Sequence, residues 1–447
     1  MKVPHLPGPS APLSAAQIAD NFSDLHAPLS GAQVSVEAAR CLYCYDAPCI
    51  RACPTAIDIP KFIHQLRSGN IRGSGVTILS ANILGGTCAR ACPTEVLCEG
   101  ACVVNQTEGA PVKIGLLQRA AVDHVMAAGG PHPFVRAPAS GKRLAAVGAG
   151  PASLAFAHRA ALLGHEVELF EAKPKPGGLN EYGLAAYKMV EEFAAREVAF
   201  LLEVGGVKLR HGVALGRDIT LEELLDSYDA VFLGLGLSEA ARLGAAGEDL
   251  PGVLPAIDFI EGLRQAADKA TLAIGREVII IGGGNTAIDA AVQAKRLGAE
   301  QVTLVYRRGR GQMGATPWEQ DFAAANGVAL RFWAQPVAFL GGGRVEAVRF
   351  ARMRQEDGRL VQGEEGFTLP ADQVLVAVGQ KLADPGLGAL RRERGKLWVD
   401  AGMRTSHPKV FAGGDCVLPG EDLTVQAVED GKRAALSVDA QLRGQGG

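Results

Sequence analysis

From Val103 to Asp415 the sequence contains no cysteine, and Cys416 beyond that gap stands alone. Reduction of a disulfide through a cysteine pair in this long interval is therefore excluded. Excess charge is missing too: 45 Lys and Arg against 48 Asp and Glu leave a net charge of -3, with neither a basic footprint for nucleic acid nor an acidic tail. No run approaches about eighteen uninterrupted apolar residues, and Met1 to Ala16 lacks an apolar core of signal-peptide length. These absences predict a soluble, cytoplasmic protein that binds neither nucleic acid nor membrane. What remains is an ordinary globular composition, 48% hydrophobic and 21% charged. Its 447 residues suffice for roughly two to four domains.

The cysteines that are present crowd together. Cys41, Cys44, Cys49 and Cys53-Pro54-Thr55 form one group, and Cys88, Cys92-Pro93-Thr94, Cys98 and Cys102 form another. Thiolates at short spacings, in runs that end in Cys-Pro, converge on iron-sulfur cores. Eight cysteines suggest two clusters with ligands shared between the runs. Disulfides suit small secreted scaffolds rather than a chain with a long cysteine-free remainder. Zinc favours two tidy pairs, and only Cys41 and Cys44 make such a pair. The spacing therefore predicts a small, mostly helical iron-sulfur domain, with Phe62, Ile63 and Leu66 on one helical face between the cysteine groups. Residues 1 to about 30, carrying Pro4, Pro7, Pro9, Pro12 and Pro28, are expected to be a loose lead-in. Pro131 to Ser140 reads as a linker.

A different pattern begins at Lys142. An apolar strand runs into Gly148-Ala-Gly150-Pro151-Ala152-Ser153, a helix follows, and a second strand ends at Glu171. Gly148 permits the tight turn and Gly150 lets a pyrophosphate approach the backbone at the helix N-terminus. Glu171 is placed to accept from ribose hydroxyls, and small Ser153 lets helix and strand pack closely. The unit repeats at Glu277 to Ile281, with Gly282-Gly283-Gly284-Asn285-Thr286-Ala287 as its turn. This second unit ends in Tyr306-Arg307-Arg308 instead of a carboxylate. Arginine there suits a 2′-phosphate, although two surface arginines would also solvate a loop, so the nicotinamide choice stays open.

Two dinucleotide folds imply two dinucleotides, and a flavin with a nicotinamide is the natural pair. Val410 to Asp415 is a strand turning through Gly414 into Asp415, a place for flavin ribityl or phosphate groups, and a helix from Thr424 points its positive end at the ring. The expected fold is α/β, a small helical iron-sulfur domain followed by two interleaved Rossmann-like domains. The expected boundaries are 1–140 for the clusters, 141–269 and 376–447 for FAD, and 270–375 for NAD(P). With no dithiol beside it, a flavin that splits hydride pairs into single electrons needs the clusters as its exit.

The two cysteine runs, together with Gly148 to Ser153, Gly177-Gly178-Leu179-Asn-Glu-Tyr-Gly183 and Gly282 to Ala287, resemble dihydropyrimidine dehydrogenase from about Val36 onward. The likeness is to its flavin and iron-sulfur part, in the form of a separate NAD-dependent subunit; the glutamate synthase small subunit shares the architecture. The resemblance implies that Cys41, Cys44, Cys49 and Cys102 hold one [4Fe-4S] cluster, and that Cys53, Cys92, Cys98 and Gln118 hold the other. Spacing alone would choose Cys88 over Gln118. It further implies FAD at Gly148, Gly150 to Ser153, Glu171, Gly178, Leu179 and Lys188, and the nicotinamide nucleotide at Gly283 to Thr286, Arg307 and Arg308. Gly314 stands where NADP-dependent members carry a further basic residue, which tilts the expectation to NADH. The implied activity passes a hydride from NADH to FAD and single electrons to a partner. That partner would be an FMN-containing catalytic subunit with iron-sulfur clusters of its own, reducing uracil or thymine to the 5,6-dihydro forms within a hetero-oligomer. The alternative is a glutamate synthase small subunit carrying electrons from NADPH to a large subunit.

Overall fold

The computed structural model describes residues 13–418 and 420–444. Pro4, Pro7, Pro9 and Pro12 lie outside the described residues. The described chain falls into two compact units. The larger comprises 26–181, 191–238 and 381–444, and the smaller comprises 13–25, 182–190 and 239–380.

The larger unit opens with short helices, each started by a recognisable cap. Ser30 and Gln33 form a capping box for Gly31–Ala39, the Asp58 carboxylate accepts from Lys61 N at the start of Ile59–Arg67, and Asn70 does the same for Ile71–Ala81. Ile59, Phe62, Ile63 and Leu66 recur at helical spacing and are all buried. Ile71–Ala81 crosses Ile114–Ala127 at Gly75, where an added Cβ would stand 2.6 Å from the Ala121 carbonyl oxygen. The cysteines sit in the loops and short helices at the edge of this bundle. Three non-glycine residues in that region, Tyr43, Ala47 and Ala56, have positive φ, a local strain the surrounding fold must sustain.

The same unit contains a five-stranded parallel sheet in the order Val410–Ala412, Ala230–Leu233, Arg143–Val147, Glu166–Glu171, Val207–His211. Two of its interior strands, Arg143–Val147 after its first residue and Ala230–Leu233, are apolar and buried, as a sheet covered on both faces requires. The strand order reverses between Arg143–Val147 and Ala230–Leu233, which is where such sheets open a ligand crevice at their carboxyl ends.

The smaller unit repeats the plan. Its parallel sheet runs Val253–Pro255, Gln373–Ala377, Glu277–Gly282, Gln301–Tyr306, Val328–Phe332. A three-stranded antiparallel sheet, Ala334–Leu340, Ala347–Glu356 and Arg359–Pro370, comes next in the chain.

Three expectations change here. Residues 15–21 form a helix with a Ser14–Gln17 capping box, tied down by Asn21 Nδ2 donating to Arg296 O at 2.8 Å, so the lead-in is ordered over that stretch. Val253–Pro255 and the helix Ala256–Gln265, expected in the flavin domain, belong to the smaller unit, where Val253–Pro255 pairs with Gln373–Ala377. The chain changes units between 238 and 239 and between 380 and 381, not at 269 and 376.

Candidate cofactor sites

Four thiols, those of Cys41, Cys44, Cys49 and Cys102, line one pocket whose other walls include Ile59, Ile63, Val112 and Ile114. Burial, followed by the charges of Cys102 and Cys41, pushes the Cys49 thiol up to about 11. Burial also raises Cys41, with Cys102 and Cys44 adding to it against a backbone hydrogen bond that lowers it. The remaining thiols form a second set. Cys92 is raised first by its hydrogen bond with Cys88, then by burial, then by the charges of Cys88, Cys98 and Cys53. Cys98 is raised by burial, then by Glu99 and Cys53. Thiols that repel one another and shun ionisation in an apolar setting fit a cationic iron core, which removes both penalties when thiolates bind it. Among the described residues no three Cys, His, Asp or Glu side chains gather closely enough for a single metal ion. Four thiolates around a four-iron core stand farther apart than the donors of a tetrahedral zinc.

Cys88 and Gln118 both lie by the helix Gly85–Ala91. Cys88 Sγ, on that helix, accepts from Asn82 Nδ2 at 3.2 Å, and Gln118 Nε2 donates to Gly85 O at 2.7 Å. Cys53 Sγ stands 3.3 Å from Thr55 Oγ1.

In the fold that begins at Lys142, the one expected to hold the flavin, the glycine turn is packed to backbone contact. A Cβ on Gly148, whose φ is +81°, would meet Gly234 O at 2.5 Å, and one on Gly178 would meet Gly150 Cα at 2.7 Å with Pro151 Cδ at 3.5 Å. Ser153 Oγ donates to Val147 O at 3.3 Å and closes the helix onto the strand. Glu171 is buried, and its two oxygens accept from Ala149 N at 2.6 Å and Lys173 N at 2.7 Å, which ties the acidic strand end to the turn. Gly414 reaches the same turn, since its Cβ would touch Ala152 Cβ at 3.2 Å. Asp415 beside it is pushed up to about 6, by burial first and then by Asp422. Thr424 Oγ1 donates to Asn180 Oδ1 at 2.9 Å, next to Leu179. Gly148, Gly150, Pro151, Ala152, Ser153, Glu171, Gly178 and Gly414 thus meet around one helix N-terminus, a cradle that fits a dinucleotide pyrophosphate.

Lys188, also matched by the resemblance, belongs to a different unit. It lies in the smaller unit, buried, with Nζ 2.8 Å from Asp289 Oδ1 and 2.6 Å from Glu319 Oε1. Burial opposes its charge, but the two carboxylates overcome it and raise the pKa. The position matched by resemblance carries a cation already committed to two protein anions.

The smaller unit encloses a cavity of about 530 Å³ lined by Gly282, Gly283, Gly284, Thr286, Tyr306, Arg307, Arg308 and Gly314. Gly283 is pressed on the Tyr306 ring, 2.4 Å from a notional Cβ, and the Tyr306 hydroxyl donates to Gln312 O at 2.8 Å. Asn285 Oδ1 is buried with no hydrogen-bond partner, an acceptor at the helix N-terminus left for a bound donor. Among the described residues no carboxylate lines this cavity, whereas Arg242, Arg307 and Arg308 do, and Arg242 is already paired with Asp249.

Comparison with known proteins agrees with this layout. The model of the pyridine nucleotide-disulphide oxidoreductase family matches residues 142–431. The chain belongs to that family. The model described as dihydropyrimidine dehydrogenase domain II, 4Fe-4S cluster, matches residues 18–130. The glutamate synthase [NADPH] small chain of Halomonas elongata is 35% identical over 440 residues, covering 93% of this chain and 92% of its own. The NAD-dependent dihydropyrimidine dehydrogenase subunit PreT of Escherichia coli K12 is 34% identical over 408 residues, covering 91% and 94%. Mycobacterium tuberculosis FprA in complex with NADPH superposes with a TM-score of 0.56 at 22% identity, over 69% of this chain and 86% of that one, a likeness of fold. This family member is therefore an NAD(P)H-dependent oxidoreductase subunit that binds FAD and [4Fe-4S] clusters. Among the described residues no helix is long and apolar enough to cross a membrane.

Cys416 is wholly buried, with Sγ 3.3 Å from Gly413 O, and burial pushes its thiol up to about 11. It is a small core residue and offers no thiol to a substrate. Sequence reasoning missed Glu197, fully buried on the helix Phe193–Leu202. Its signal was a carboxylate on an otherwise apolar helical face with Phe193, Val198, Phe200 and Leu201.

Proposed function

We propose that this chain is the electron-input subunit of a dihydropyrimidine dehydrogenase. It would take a hydride from NADH onto FAD and pass single electrons through two clusters to an FMN-bearing partner that reduces uracil or thymine to the 5,6-dihydro forms. The observation that carries the electron-input part is the company the thiols keep. Eight cysteines share one compact unit with the flavin cradle, and the single cysteine near that cradle is sealed. Bound FAD accepts a hydride as two electrons with a proton and gives electrons up singly, the conversion needed between a nicotinamide and a one-electron cluster. The chain's own part is to grip each group. The thiol-lined pocket supports Cys41, Cys44, Cys49 and Cys102 as one ligand set. Cys53, Cys92 and Cys98 with Gln118 make the other, Gln118 reaching the helix that carries Cys88. The pyrimidine acceptor draws support from the family model over 18–130 and from the full-length likeness to the PreT subunits.

A second reading has its own observation. Arg307 and Arg308 line a cavity without a carboxylate, which suits a 2′-phosphate, and relatives of equal similarity are named glutamate synthase [NADPH] small chain.

The test is to purify the tagged chain anaerobically from its source with whatever accompanies it, and to follow NADH and NADPH oxidation on adding uracil, then 2-oxoglutarate with glutamine. Uracil-dependent oxidation is expected. Oxidation that answers only to 2-oxoglutarate with glutamine establishes the second reading. The chain freed of its partner should still reduce ferricyanide, and uracil turnover by it alone would defeat the subunit assignment.

A further inference from the structure

Glu197 belongs to the flavin fold, on the helix Phe193–Leu202 that joins the strands Glu166–Glu171 and Val207–His211. Its side chain reaches into the cysteine-bearing bundle. Oε1 accepts from Gly86 N at 2.7 Å and from Thr87 N at 3.0 Å, and the Thr87 hydroxyl donates to Oε2. These donors are the first free N–H groups of the helix Gly85–Ala91, which carries Cys88 and delivers Cys92 at its end. The helix has no side-chain cap of its own. Around this joint Arg90 stacks on the Phe193 ring, 3.4 Å from its centroid, and returns a hydrogen bond to Gly86 O. Two further side chains of the flavin fold hold main-chain oxygens of the bundle: Arg159 Nη2 at Ser80 O, 2.8 Å, and Lys432 Nζ at Ala81 O, 3.0 Å.

Burying a carboxylate is costly, and an apolar side chain would avoid that cost only by stranding the Gly86 and Thr87 donors. Burial pushes Glu197 up to about 7, against the pull of the Thr87 and Gly86 donors and of Arg90. What a carboxylate supplies that an apolar group cannot is a directed set of acceptors. They fix the cysteine helix in direction and depth, where apolar packing would let it slide.

We propose that Glu197 is a positioning residue for electron transfer: its carboxylate fixes the helix Gly85–Ala91 against the flavin fold and so sets the separation an electron crosses to the cluster held by Cys92. In that step the reduced flavin loses one electron, the cluster gains it, and no atom moves. The inference rests on the electron-input reading above.

The test compares Glu197→Gln and Glu197→Leu in the full chain with its cofactors, by anaerobic stopped-flow, together with iron, sulfide and FAD content and the paramagnetic resonance of the reduced clusters. Gln keeps an acceptor for Gly86 and Thr87 and should stay within about twofold of the parent, whereas Leu leaves three donors stranded. With iron content intact, Leu should slow electron arrival at the clusters about ten-fold or more, while bleaching of the flavin by reduced nicotinamide keeps its rate. A purely structural role would instead slow both phases together at intact iron and FAD content, and that result overturns the proposal. Arrival at the parent rate in Glu197→Leu, or equal slowing by Gln and Leu, overturns the proposal. Should Glu197→Leu lose its iron, Thr87→Val removes one donor only; slower arrival then supports the proposal and an unchanged rate defeats it. Clusters that stay oxidised in the parent chain while its flavin is reduced would overturn the electron-input reading and this inference with it, a result distinct from any variant matching its parent.

Discussion

His158 is a base held where it cannot ionise. It lies on the helix Pro151–Leu162 between Phe134 and His132, at ring-centroid distances of 5.6 and 6.0 Å, and its Nε2 is buried with no partner. Burial first, then the charges of His132 and Arg159, pushes it down to about 3 from 6.5. The unfolded chain protonates this group below pH 6.5 and the folded chain only near pH 3. Its contribution to stability is therefore complete above 6.5 and is lost as pH falls toward 3, with a limiting slope of about 1.4 kcal/mol per pH unit. His158→Leu should flatten that acid limb. Denaturant midpoints of both proteins between pH 7 and about pH 5 check it, and parallel acid limbs would show that His158 titrates normally.

Helices in the flavin fold approach at distances only glycine allows. The helix Thr424–Gly444 crosses Pro151–Leu162 at Gly431, where a Cβ would lie 2.0 Å from Ala152 O and 2.9 Å from Phe156 N. Those are backbone atoms of the helix that begins at the Gly148–Gly150 turn, so they cannot swing aside. Gly431→Val should cost about 1–3 kcal/mol or more by overpacking and should release FAD, because the displaced helix carries Pro151 to Ser153. Gly262, on Ala256–Gln265 with open space around it, is the control: Gly262→Ala should add about 0.5–1 kcal/mol. Thermal midpoints and flavin retained on gel filtration report both, and a Gly431→Val protein that keeps its FAD would place the helix axes farther apart.

The same elements show what sequence pattern could and could not reveal. Each glycine turn was legible because strand, turn and helix are local, and Gly148 and Gly282 announce themselves by type. The crossing at Gly431 was not, since nothing in a helix's own period says which residue faces a second backbone. Val253–Pro255 was missed because three residues carry no alternation, and it forms only by pairing with Gln373–Ala377. Lys188 was placed by likeness to other chains, and its partners Asp289 and Glu319 lie a hundred or more residues away in sequence. The cysteine groups were legible because thiol spacing is itself the signal, whereas the choice between Cys88 and Gln118 depends on which side chain meets the core.

Across the whole molecule the two tasks are housed separately. The cavity lined by Arg307 and Arg308 is built entirely from residues of the smaller unit, and every clustered thiol lies in the larger one with the flavin cradle. Damage to a cluster should therefore leave hydride transfer untouched and stop only the onward passage of electrons. Cys98→Ala removes a thiol of the set holding Cys53 and Cys92, outside the pocket lined by Cys41, Cys44, Cys49 and Cys102. Its iron content should fall by about half, the share of one cluster in two. Flavin bleaching by reduced nicotinamide should keep its rate, and transfer to the partner subunit should fall about a hundred-fold or more, as an electron path with a missing station requires. Ferricyanide, which can meet the flavin directly, should still be reduced. Iron analysis with stopped-flow bleaching separates these effects. Bleaching slowed as much as partner transfer would mean that the clusters govern the hydride step itself, and the separation of tasks between the two units would not hold.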